Sequence, residues 1–176
     1  DVIRRMFPDA QFVFLVRDPR ANISSMIEGW PYIDRFGKPQ LTPILESIEG
    51  ATVQHWTYPA PPGWQDIVRR PLPEICAWSW IQHVEWALNF FEDESPVASV
   101  RYEDLREEPA QEISRLAEKL NVKVTESMKS FLSSNPESRT TVSSPRKGKW
   151  RDKNEEAIQR VLPMVRDTAH RIGYHI

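Results

Sequence analysis

Cysteine is almost missing from this chain: Cys76 stands alone among 176 residues. An internal disulfide is therefore excluded, and the lone thiol fits a reducing, cytoplasmic compartment. Its neighbours Ile75 and Ala77 favour a buried thiol over a nucleophile. Glycine is scarce too, with 6 residues, and none of them builds a Gly-rich phosphate loop. No apolar run approaches the ~20 residues a membrane-spanning helix requires. The first residue is Asp1 rather than Met and no signal-peptide pattern follows it, so the chain is expected to start inside a longer protein. An excess of one charge is also lacking. Against 25 Asp and Glu stand 23 Lys and Arg, a net charge of -2. That balance argues against a general nucleic-acid binder, while a local basic cluster can still serve a small anion.

What remains is ordinary for a globular chain, with 40% hydrophobic and 27% charged residues in a length suited to one domain. Its organising stretch runs from Phe12 to Ser25. Five apolar residues, Phe12 to Val16, read as a buried parallel strand. Asp18 then falls where a helix N-cap belongs and Pro19 where the first helical residue belongs. A helix N-terminus following a strand is where open α/β sheets bind anions. Arg17 ends the strand, where a guanidinium can fork onto a phosphate, and Ser25 offers a hydroxyl two turns into the helix. A surface Arg–Asp pair at an ordinary strand–helix turn would show the same spacing.

The helix after Pro19 is expected to stop at Gly29-Trp30-Pro31. Residues 31–73 are rich in Pro and aromatics, with one short helix near Ile44 to Glu49. They read as a lid or pocket wall, or as a solvated loop with packed tryptophans. A strong helix spans Glu74 to Phe91, its apolar face made by Ala77, Trp80, Ile81, Val84, Leu88 and Phe91. Trp78 and Trp86 lie off that stripe and are free to reach a second surface. A second strand covers Val97 to Tyr102. Pro109 opens a helix closed by Asn121, and Thr125 caps a shorter one. Ser133 to Gly148 read as a Ser/Thr-rich loop, with a basic cluster of Arg146, Lys147, Lys149, Arg151 and Lys153 riding on its far end. That run is either a solvated charged face or, with Gly148, an anion clamp. A last helix is expected from about Asn154 to Arg171, kinked or split at Pro163. Two strands alone cannot bury both faces of a parallel sheet, so further strands are expected from elsewhere.

With Arg17 and Ser25 eight apart, Tyr102-Glu103-Asp104-Leu105 in the middle and Arg146-Lys147-Gly148 near the end, the chain resembles the sulfotransferases. Phe7-Pro8-Asp9-Ala10 before Arg17-Asp18-Pro19-Arg20 is similar to the bacterial small-molecule branch. The resemblance implies an α/β fold, a three-layer parallel sheet of the P-loop nucleotide-binding type lacking its N-terminal part. Residues 1–176 would then be the carboxyl-terminal portion of one domain, with 31–73 on the acceptor side and 133–150 closing over the donor. The implied activity is transfer of a sulfuryl group from phosphoadenosine phosphosulfate (PAPS) to a hydroxyl or amine, with adenosine bisphosphate as product and no metal. Arg17 and Ser25 would bind the extra ribose phosphate, Tyr102 would lie near adenine, and Arg146, Lys147 and Gly148 would close over the same phosphate.

The acceptor would be a small molecule, carbohydrate or lipid. Neither the family's Lys-bearing phosphate loop nor its acceptor-activating base has a counterpart among these residues, so no catalytic residue is assigned. A fragment of a P-loop kinase-like enzyme and a non-catalytic interaction module are the competing readings.

Overall fold

The computed structural model describes residues 2–32, 49–51, 55–134, 142–144 and 146–176. The chain divides into two compact units, residues 1–17 with 87–137 and residues 18–86 with 138–176.

The first unit is built on a parallel strand pair, β1 (Val13–Val16) and β2 (Ala98–Arg101). Val13 lies beside Ala98, and the register runs in step to Val16 beside Arg101. One further bond, from the Val97 amide to the Phe12 carbonyl at 2.9 Å, extends the ladder. Helix α1 (Val2–Met6) precedes β1. Arg4 ties it down, donating to Glu94 at 2.7 Å and to the carbonyls of Pro8 and Ala10. The aromatic end of helix α3 (Leu72–Asp93) belongs to this unit. Phe90 meets Phe12 edge-on at 4.9 Å and Phe91 meets Phe14 at a tilt at 5.2 Å, so ring contacts hold the strand. Val13 and Leu15 remain 38% and 54% exposed while their registered partners Ala98 and Val100 are buried. In a parallel pair registered residues share a face, so this face is covered over β2 and open over β1.

Directly after β2 comes a helix the sequence pattern did not suggest, α4 (Tyr102–Glu107). Tyr102 had been expected to close the strand. Glu103 and Asp104 sit in the first turn of α4, where the helix dipole favours acids, and this replaces an apolar stripe as the reason for the turn. Helix α5 (Pro109–Lys119) opens on its proline, and Asn121 beyond it takes the left-handed φ of 55° expected of a chain reversal. Thr125 caps helix α6 (Glu126–Ser133), its hydroxyl accepting from the Met128 amide at 3.3 Å.

The second unit is organised by α2 (Pro19–Gly29) and α7 (Lys149–Arg171), which pack on each other. Its core takes Ile23 and Trp30 from the first, Ile158, Val161, Val165 and Ala169 from the second, and Ile75, Cys76 and Ala77 from α3. Fully burying one such aliphatic side chain contributes about 1.5–3 kcal/mol. Pro163 neither splits nor kinks α7 out of helical dihedrals. The break falls at Asn154 (φ -142°, ψ 29°), where the amide side chain is drawn away to donate to the Ser24 hydroxyl at 2.9 Å. A short turn from Lys149 thus precedes the long helix anticipated after Asn154.

Within the described part of 31–73, the residues around Trp56 are packed while many others are exposed. Trp56 is fully buried, edge-on to Trp30 at 5.8 Å, Trp64 at 6.0 Å and Trp78 at 6.3 Å. Thr57 donates to the Trp30 carbonyl at 2.6 Å, and Tyr58 to the Met26 carbonyl at 3.2 Å. Trp78 therefore finds the second surface expected of it, whereas Trp86 stays 47% exposed. Of the helix anticipated near Ile44 to Glu49, all but Glu49 lies outside the described residues. Among the described residues, no helix is long and apolar enough to cross a membrane.

Candidate functional site

In the first unit, strand register decides where Arg17 and Tyr102 stand. Because Val16 pairs with Arg101, the next residues, Arg17 and Tyr102, leave the carboxyl ends of two adjacent parallel strands. Their side chains meet, the Arg17 guanidinium lying 4.6 Å above the Tyr102 ring. A cation held over an aromatic face is worth ~0.5–1 kcal/mol at a partly exposed site. Two residues singled out 85 positions apart in the sequence are brought together by one ladder. Both are half-buried.

The other candidate residues belong to the second unit. Asp18 caps α2, its carboxylate accepting from the Arg20 amide at 2.9 Å, and Pro19 occupies the first turn as expected. Arg20 also forks onto Asp18, at 2.7 and 3.0 Å. One first-turn donor expected to face an anion is thus already satisfied by Asp18. Ser25 is half-buried on α2. Its neighbour Ser24, which the sequence pattern did not single out, is the one joined to α7 through Asn154.

Gly148 heads α7 in the left-handed conformation, φ 73°. A Cβ there would stand 3.0 Å from the Arg151 guanidinium, so backbone shape and crowding both call for glycine. Arg146 and Lys147 are exposed just before it, and Arg146 pairs with Asp152 in the first turn of α7. Trp150 is buried, with Arg20 at 5.5 Å and Arg151 at 4.6 Å from its ring. Ser25 and the 146–148 segment therefore lie in one unit on two helices that pack together.

Other titratable side chains carry less. His83 is exposed, with Nδ1 2.7 Å from the Ser79 carbonyl on its own helix. Cys76 has no exposed surface, and burial pushes its thiol far above the usual range, which leaves it inert. Burial, with a smaller contribution from Cys76, likewise holds the Tyr58 hydroxyl protonated, as a donor. The indole N–H groups of Trp30 and Trp56 are buried with no hydrogen-bond partner among the described residues. No group of three or more His, Cys, Asp and Glu able to hold a metal occurs among the described residues.

The sequence profile of the family described as "Sulfotransferase domain" matches residues 3–161. No curated protein and no solved structure matches significantly. The profile spans β1, the Arg17 turn, the Tyr102 segment, the Arg146–Gly148 loop and the first half of α7. This chain belongs to the sulfotransferase family.

Proposed function

We propose that the chain is the donor-recognition portion of a PAPS-dependent sulfotransferase. Arg17, Ser25, Arg146, Lys147 and the Gly148 amide hold the ribose phosphate of the donor, and Tyr102 lies against its adenine. The reading is carried by the pairing of Arg17 with Tyr102 at the strand ends, a cation and an aromatic face suited to a phosphate beside a base. PAPS, when bound, supplies an activated sulfuryl group for a hydroxyl or amine acceptor. The chain's own residues bind and orient: a dianion needs several charge-assisted donors, and Arg17, Arg146 and Lys147 provide three cations. The tryptophan cluster around Trp56 stands on the acceptor side, for a small molecule, carbohydrate or lipid.

The sheet face left open at Val13 and Leu15 suits a further layer, as the three-layer fold of the P-loop type requires. Lacking a phosphate loop and a base, these residues alone are inactive, and the working compartment is the cytoplasm. Calorimetric titration with adenosine 3′,5′-bisphosphate and with AMP tests the assignment. One extra phosphate meeting charged donors is worth about 1.5–3 kcal/mol, so the bisphosphate should bind roughly 10- to 100-fold more tightly. Equal affinities would overturn the reading in favour of an ordinary nucleotide site of the kinase type.

A further inference from the structure

Two charges in the second unit stand at the wrong ends of their helices. Glu28 occupies the last turn of α2, where the dipole disfavours an acid, and Lys149 is the first residue of α7, where it disfavours a base. Neither helix gains from its charge. Their contact accounts for both: Lys149 Nζ lies 2.9 Å from Glu28 Oε2, with side chains only 16% and 18% exposed. Ser143 joins them, donating to the same carboxylate oxygen at 2.8 Å while Lys149 donates to the Ser143 hydroxyl. The second oxygen, Oε1, is buried without a partner among the described residues. A burial this costly is a poor device for stability and a good one for fixing a single arrangement.

Its placement says which arrangement. Ser143 and Lys149 flank Arg146, Lys147 and Gly148 in the sequence, so one carboxylate grips the segment on both sides. Glu28 in turn stands one helical turn beyond Ser25 on α2. We propose that Glu28, acting through Lys149 and Ser143, is a positioning residue that sets the Arg146–Gly148 segment against the Ser25 face of α2. It thereby governs affinity for the donor's ribose phosphate. Glu28 touches no ligand; it makes the anion-binding loop one shape beforehand, and binding then costs less ordering. The inference rests on the donor-site reading above, and its test separates the two.

Amide exchange and calorimetry on the full chain provide that test, in the unsubstituted protein, in Glu28→Gln and in the charge-reversed pair Glu28→Lys with Lys149→Glu. Glu28→Gln should speed exchange of the 148–152 amides at least tenfold while amides from Val161 to Ala169 keep their rates. It should also weaken adenosine 3′,5′-bisphosphate at least tenfold and change AMP by less than twofold. The reversed pair should recover most of both losses. Ser143→Ala, a milder cut to the same grip, should show about a threefold loss if Glu28→Gln fails to fold. Unchanged exchange, a uniform acceleration along all of α7, or tighter bisphosphate binding would overturn the positioning role. Local acceleration in Glu28→Gln, together with no bisphosphate preference in the unsubstituted protein, would uphold the grip and overturn the donor reading.

Discussion

Arg17 leaves the end of a strand with its guanidinium over the Tyr102 ring, whereas Arg146 is exposed and pairs with Asp152 of its own segment. The first setting comes from strand register and costs little to maintain once the ladder is formed. The second is a surface ion pair with side chains 59% and 54% exposed, of a kind worth ~0–1 kcal/mol and screened by salt. Two cations proposed to serve one phosphate therefore differ in what they must give up to do so. Arg17 is pre-organised and loses little rotamer freedom on binding. Arg146 must exchange one partner for another, and its net gain is correspondingly small.

The largest consequence falls on Arg17. Arg17→Ala should weaken adenosine 3′,5′-bisphosphate by about 2–3 kcal/mol, or 30- to 150-fold, the usual cost of removing a held charge-assisted donor. Arg17→Lys should recover only part, because a point charge cannot reproduce the fork. Binding isotherms at two salt concentrations check this. A loss under threefold for Arg17→Ala would erase the contrast between the two settings.

Gly148→Ala comes next. The substitution forces a Cβ into the left-handed region and toward the Arg151 guanidinium at 3.0 Å. A flexible side chain can move aside, so the backbone term dominates, and about 1–2 kcal/mol of stability should be lost in urea titrations. Because the strain sits at the head of α7, the second setting should suffer and the first should not. The affinity of a Gly148→Ala protein for bisphosphate should therefore fall several-fold while Arg17→Ala retains its full effect upon it. Additive losses would sharpen the view that each arm is held independently.

Much of this was readable from local chemistry. Asp18-Pro19, Pro109 and Thr125 each mark a helix start by what a single residue can accept or cannot donate, and the structure uses all three. Arg17 was legible as a site candidate from its place at the strand end and Tyr102 from a family resemblance, though their contact depends on a register no local pattern states. Three features were out of reach for different reasons. Helix α4 is too short and polar to carry an apolar stripe. The break in α7 arises at Asn154 because Ser24 competes for its side chain, a partner 130 residues away. Pro163 was the more obvious breaker. Its missing N–H nevertheless leaves the dihedrals around it helical. The grip of Glu28 on Ser143 spans 115 residues. Its one local trace was a pair of charges at unfavourable helix ends, a signal that a search for dipole mismatches would find.

The smallest effect belongs to Asp152, and it tests the comparison from the other side. Asp152→Asn removes the carboxylate that Arg146 rests on while keeping size and most hydrogen-bonding capacity. Asp152 also sits in the first turn of α7, where an acid favours the helix by ~0.3–1 kcal/mol. Stability should therefore drop by no more than about 1 kcal/mol. Freed of that partner, Arg146 has one ion pair fewer to exchange when an anion arrives, and one negative charge near the segment is gone. Bisphosphate affinity should rise slightly, by less than about fivefold, with the gain shrinking as salt is added. A fall of tenfold or more would mean that Asp152 holds Arg146 in its working position. Arg146 would then be as pre-organised as Arg17, and the distinction between the two settings would not survive.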